Sequence, residues 1–381
     1  MKLTRRDFAA GLAVGITAPY VIGSAARAAG DTIKIGMCAP VTGPAAESGG
    51  YAVKGAKLAL EAVNKAGGVL GKQLELIVED DQTTNPGIVL AFSKLAAQSD
   101  IVGFLGSIRS TQVHAMAPDV LKLGKPVMIG GTDPNLTHMG NQWLFRCRPN
   151  DSYSGSVIAD YGVNTLGKKK WFVLHSTDAF GTAGGKALTD ALGKIGATTT
   201  DQGYANQSQD FTPVVLAIKQ SGADILGTYF TFENDLGIFA RQLRQLGVTI
   251  PWVGSPSIVN ITALKLAGPA LYGTFGVADY AEDSSDASKA FGKLYRDAVK
   301  VAPDNQSSWP YDAINVLAQG IKTANSTDPA KIREAILSIK KYAGAEGEYN
   351  FDQNGDGLHG YNIVKNEKGT IVFDKHIESK A

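Results

Sequence analysis

Apolar positions along this chain follow two alternating periods. TIKIGMCAP and KQLELIVEDD are short apolar-rich runs of strand length. Between them SGGYAVKGAKLALEAVNKAGG repeats its apolar positions every three or four residues and ends at Gly67 and Gly68. NPGIVLAFSKLAAQ (helix), IVGFLG (strand), TQVHAMAPDVLKLG (helix) and KPVMIGG (strand) continue the alternation. Such strand–helix–strand repeats place parallel strands side by side with helices over both faces. After NQWLFRCRPND the pattern restarts: KKKWFVLHS, ATTTDQGYA, ADILGTYF and IPWVGS predict strands. GTAGGKALTDALGKIG, DFTPVVLAIKQSG and ENDLGIFARQLRQLG predict the helices between them. Two successive runs of the same rhythm predict two similar lobes rather than one sheet of unusual width.

The last third departs from this rhythm. Beyond LYGTFGVADY come three helical patterns, SSDASKAFGKLYRDAVKVA, SSWPYDAINVLAQGIKTAN and PAKIREAILSI, and then a glycine-rich β segment from Gly347 to Asp374. If the helices return to the first lobe and the strands to the second, three segments join the lobes, a hinge that permits closure while resisting twist. The expected fold is therefore α/β: two doubly wound lobes with parallel sheets. One comprises residues 29–149 with 279–345 and the other residues 150–278 with 346–381.

Composition narrows the function. The chain has 381 residues, 37 Lys+Arg against 36 Asp+Glu, and no long basic run, which disfavours a nucleic-acid partner. At the N-terminus TRRDF sets Arg5 and Arg6 before the apolar run FAAGLAVGITAPYVIG, and SAARAAG offers Ala26 and Ala28 to a signal peptidase. A twin-arginine export signal over residues 1–28, and hence a periplasmic mature chain, is the expectation. Export permits a disulfide between Cys38 and Cys147, but spacing alone leaves that open.

Catalytic and cofactor motifs are missing. GGVLGKQ and GTAGGKAL fail as phosphate loops, with Ala66 and Phe180 in place of the first glycine and Gln73 and Ala187 in place of Ser or Thr. The first βα turn lacks G-x-G-x-x-G, no G-x-S-x-G occurs, and the five histidines are scattered. DQNGDG begins like a calcium loop but has Ile363 where the closing Glu belongs, so a hairpin turn is expected. No metal or cofactor is expected, and an exported α/β enzyme is the weaker alternative to a binding protein.

The stretch GSIRSTQVHAMAPD places small hydroxyl residues where the third strand gives way to a helix. Hydroxyls beside unpaired amides at a helix N-terminus suit an anion, and Ser110 is expected to serve as both helix cap and ligand contact. The chain resembles the periplasmic solute-binding proteins of the branched-chain amino acid (Leu/Ile/Val) type that serve ABC importers. The likeness is carried in order by IKIGMCAPVTGPAA, IVGFLGSIRSTQVHAMAP, KPVMIGGTDPNLT, LFRCRPNDSYSG, STDAFGTAGGKAL and YNFDQNGDG.

That resemblance implies that Arg109, Ser110 and Thr111 in one loop, with Gly131 and Thr132 in the next, hold the solute. Thr132 would donate to its carboxylate, and the Gly131 carbonyl would accept from its amine. Phe180 stands where the family often has Tyr, and Tyr229 is a second candidate wall. Tyr51 and Trp309 are weaker candidates. The Glu that pairs with the ammonium in the family is replaced by Pro256 or Ser257, so either Glu233 or another acid substitutes, or the ligand is not an ordinary α-amino acid. Implied partners are a small amino acid or related carboxylate and a membrane permease with a separate ATPase, the protein itself acting as a monomer. A sensory receptor, or one for urea, short amides or aromatic acids, remains open.

Overall fold

The computed structural model describes residues 32–378, so the expected export signal lies outside the described residues. In the first lobe β1 (Ile33–Ala39), α1 (Ala46–Lys65), β2 (Leu74–Asp80), α2 (Asn85–Ala96), β3 (Ile101–Leu105), α3 (Ser110–Leu123), β4 (Val127–Ile129) and β5 (Leu144–Arg146) follow one another. The five strands form a parallel sheet in the order β2-β1-β3-β4-β5. Each face carries its own apolar core, because successive strand residues point to opposite sides. Met128 packs towards one core, and its neighbours Val127 and Ile129 towards the other.

The second lobe contains α4 (Asp151–Asp160), β6 (Lys170–Ser176), α5 (Ala179–Lys194), β7 (Thr198–Tyr204), α6 (Thr212–Ser221), β8 (Ile225–Tyr229), α7 (Glu233–Gln245), β9 (Trp252–Gly254), α8 (Ile261–Ala267) and β10 (Phe275–Ala278). Helices α9 (Asp286–Val299), α10 (Asn305–Ala324) and α11 (Pro329–Leu337) follow. Then come the short pair β11 (Tyr342–Ala343) and β12 (Glu348–Tyr349), and finally β13 (Gly360–Glu367) and β14 (Thr370–Glu378). Helix α10 lies along α1, and the approach is close: a Cβ on Gly55 would stand 2.0 Å from the Ser307 carbonyl oxygen. Ile314, Leu317 and Ile321 of α10 thereby complete the first lobe's core.

Three expectations need correction. The second sheet, β14-β13-β10-β9-β8-β6-β7, is not wholly parallel. Strand β13 runs antiparallel to β10, and β14 antiparallel to β13. A tight turn with positive φ at Lys368 and Gly369 joins those last two strands, which only an antiparallel pair permits. The return to the second lobe, expected at residue 346, comes later, because Tyr349, Phe351 and Leu358 pack in the first lobe's core. Nor is DQNGDG a hairpin between long strands. Asp352 accepts from the Asn354 and Asp356 amides, and the Asp356 carboxylate receives Arg146 Nε at 2.8 Å. Arg146 is fully buried, so the turn is anchored to β5 by a buried ion pair.

Helices α4 and α8 had no expected counterpart. The first starts at an Asn150 cap, and its Gly155 lets it press on the backbone of α5 at Ala187. The second starts at Asn260, whose side chain accepts from the Thr262 and Ala263 amides. No helix among the described residues is long and apolar enough to cross a membrane.

Candidate functional site

The C-terminal ends of β3 and β4 face those of β8 and β9 across a cleft, the usual place for a ligand in open α/β sheets. The two lobes touch there. Ser48 Oγ in α1 donates to Glu233 Oε1 at the start of α7, over 2.7 Å. The Ala179 amide donates to Thr111 Oγ1 at 3.2 Å, and the Ile261 amide to Asp304 Oδ2 at 2.8 Å. At the exposed rim Lys265 pairs with Glu47 at 3.1 Å. Between these contacts lies a narrow cavity of about 50 Å³.

Five residues of the first lobe line it: Ile108, Arg109, Arg148, Asn305 and Gln306. Phe180, Phe230, Thr231, Glu233, Ser257 and Asn260 line it from the second. Thr231, Arg109 and Phe180 also border an adjoining outer chamber of about 230 Å³, which Ser110, Thr111 and Asp178 help to line.

Charge is the informative property of the inner cavity. Arg148 is compensated: Nε donates to Asp279 and Nη1 to the Gly130 carbonyl. Arg109 is different. It is 8% exposed, its guanidinium lies 5.4 Å from the Phe232 ring centroid, and its Nε and Nη1 are buried without a hydrogen-bond partner among the described residues. Asp81 feels its field but forms no ion pair with it, and burial raises the Asp81 carboxyl above its usual range. Across the cavity Glu233 Oε1 accepts from Ser48 and, at 3.4 Å, from Asn260 Nδ2. One wall thus presents an unmatched cation and the other a carboxylate.

The loop after β3 is set up differently from expectation. Ser107, not Ser110, organises the turn: its hydroxyl accepts from the Arg109 amide at 2.9 Å and donates to Gln112 Oε1 at 2.5 Å. Ser110 is the first residue of α3, and its Oγ accepts from the Thr132 and Asp133 amides at 3.2 and 3.1 Å. It ties the two loops together and faces the outer chamber. Thr132, expected to donate to the solute, instead donates to Asp151 Oδ2 at 2.8 Å. Burial raises Asp151 to about 7, against the opposing pull of Thr132 and Arg148. The Gly131 carbonyl, expected to face an amine, accepts from Arg146 Nη1 at 3.1 Å.

Tyr229 is a core residue: it is fully buried, its hydroxyl meets Ser154 Oγ at 2.8 Å, and its ring backs Phe180 with centroids 5.7 Å apart. Tyr51 donates to Glu47 outside the cavity. Trp309 is buried against Gly130, where a Cβ would come within 2.9 Å of the indole. Cys38 and Cys147 are both buried, and neither forms a disulfide. Among the described residues no group of three or more His, Cys, Asp or Glu is placed to hold a metal ion.

A family model described as periplasmic binding protein matches residues 32–370. The chain belongs to this family. A Leu/Ile/Val-binding protein homologue of Brucella melitensis is 30% identical over 358 residues, covering 92% of this chain and 95% of its own. A leucine-, isoleucine-, valine-, threonine- and alanine-binding protein of Pseudomonas aeruginosa is 29% identical over 336 residues, 86% of this chain and 88% of its own. In fold, a crystal structure of a leucine-binding protein from Thermotoga maritima matches with a TM-score of 0.85 at 22% identity, over 91% of this chain and 99% of that one.

In this periplasmic binding protein the cavity gathers four residues singled out from sequence, Arg109, Phe180, Glu233 and Ser257. Sequence reasoning missed Arg148, Asn260, Asn305 and Gln306. RCRPND and PDNQSSW carried a usable signal for Arg148 and the α10 pair, since both strings put polar residues where the chain passes between lobes or opens a helix.

Proposed function

We propose that this protein is the solute-binding component of an ABC importer, which captures an amino acid or a similar small carboxylate between its lobes and delivers it to a membrane permease. Arg109 carries the reading. A desolvated guanidinium without a partner is expensive, on the order of several kcal/mol, and an anionic solute removes that penalty. A carboxylate at Arg109 leaves an adjacent ammonium to face Glu233 from the other lobe, so the bound molecule bridges both halves. Such bridging gives the closed form its higher affinity and shifts the hinge towards closure. Export by the twin-arginine pathway, from Arg5 and Arg6, supplies the periplasmic location on this reading. The amino acids named for the Pseudomonas aeruginosa and Brucella melitensis relatives support the class of solute.

Calorimetric titration with the proteinogenic amino acids, followed by mass spectrometry of the recovered solute, tests the proposal. One unaltered molecule bound per chain is the expected result. Turnover of the solute, or no binding by any amino acid or small carboxylate, would refute it.

A further inference from the structure

We propose that the solute is a hydrophilic amino acid, with a side arm ending in an amide or hydroxyl group rather than a branched aliphatic one. The inference rests on the reading above that the cleft binds an amino acid. With the carboxylate at Arg109 and the ammonium at Glu233, the side arm must lie against the rest of the wall. Part of that wall is the first turn of α10, where Gln306 and Asn305, the latter shared with a neighbouring pocket, line the cavity.

Asn305 is 6% exposed, and its Oδ1 is buried without a hydrogen-bond partner among the described residues. The helix does not need that side chain. Asp304 already caps α10: its Oδ1 accepts from the Gln306 amide at 3.0 Å, and Ser307 Oγ reciprocates to the Asp304 amide at 3.1 Å. A buried amide oxygen left free at a cavity wall is satisfied by a donor on the bound molecule.

Only Ile108, Phe180 and Phe230 contribute apolar side chains, and Phe230 is held from behind by Tyr204 and Phe239. A leucine or valine side chain would sit against Asn305 Oδ1 and leave it unpaired, whereas a ligand amide or hydroxyl would meet it. Sites built to bond a polar group discriminate against analogues lacking one more strongly than apolar pockets discriminate by size.

Titration of the full-length mature protein with asparagine, glutamine, serine and threonine, against leucine, isoleucine and valine, tests the assignment. At least one polar amino acid is expected to bind about tenfold or more tightly than any branched-chain one. Asn305→Leu is expected to erase that preference, and Asn305→Ser, which fits the space more conservatively, to weaken it while retaining the fold. Branched-chain amino acids binding as tightly as every polar one would overturn this assignment and leave the amino-acid reading standing. So would an unchanged preference in a folded Asn305 variant. Binding of a simple amide but of no amino acid or small carboxylate would overturn both.

Discussion

Replacing Arg109 with Met separates a binding role from a structural one, because the two have opposite signs in the unliganded protein. Methionine keeps most of the aliphatic stem and removes the charged guanidinium that lies over Phe232. Nε and Nη1 are buried and unpaired, and a carboxylate bound side-on or end-on to the guanidinium gains charge-assisted bonds, each about 1.5–3 kcal/mol. Their loss is expected to weaken carboxylate binding by about 3–4 kcal/mol, or two to three orders of magnitude in Kd. Without ligand, the same substitution removes a buried, unpaired charge from the cleft. The thermal midpoint should therefore hold or rise. Calorimetry and thermal unfolding of wild type and Arg109→Met, each with and without solute, read both numbers. Arg109→Lys should fall between, since an ammonium keeps the charge but not the planar fork. A variant that loses midpoint when empty yet binds within about threefold of wild type would refute the reasoning.

Ser48→Ala removes a cross-lobe donor to the Glu233 carboxylate and should weaken solute binding by about fivefold to tenfold, read by calorimetry. Asp356→Asn leaves Arg146 buried without its counter-charge and should destabilise the fold by about 3–5 kcal/mol in denaturant unfolding. Burial raises Asp151 to about 7 and Asp304 and Asp312 to about 6, so the folded chain binds more protons than the unfolded chain between about pH 4 and 7. These groups therefore make the protein more stable near pH 5 than near pH 8, a slope that Asp151→Asn should reduce in thermal scans. Because Cys38 and Cys147 are free and buried, reductant should leave the midpoint unchanged, and thiol reagents should react only after denaturation.

The alternation of strand and helix made the two lobes legible, and the break in rhythm after Tyr280 placed α9 to α11 outside the second βα run. What escaped was antiparallel β13 and β14, and helices α4 and α8. Strand direction depends on where the chain re-enters a lobe, which no local period records. The two helices are short and begin at asparagine caps, and α4 is rich in serine and glycine, so neither has a clear apolar stripe.

The site divides in the same way. The fold places on the cavity wall both Arg109, singled out within the loop after β3, and Glu233, singled out only as a substitute for the acid that the resemblance implies. Thr132 and Gly131 sit in the right loop, but Asp151 and Arg146, brought from elsewhere in the chain, engage their polar groups. Tyr229 follows the right strand with its side chain turned into the core. Asn305 lies just ahead of the expected helical pattern SSWPYDAINVLAQGIKTAN, and only the fold brings it to the cavity wall.

The most direct test of the account is a crystal structure of the protein with its solute bound. It should show the lobes closed, a carboxylate within hydrogen-bond distance of the Arg109 guanidinium and a cationic or donor group facing Glu233. A solute lodged away from the cleft, or held within it while Arg109 stays unengaged, would contradict the account.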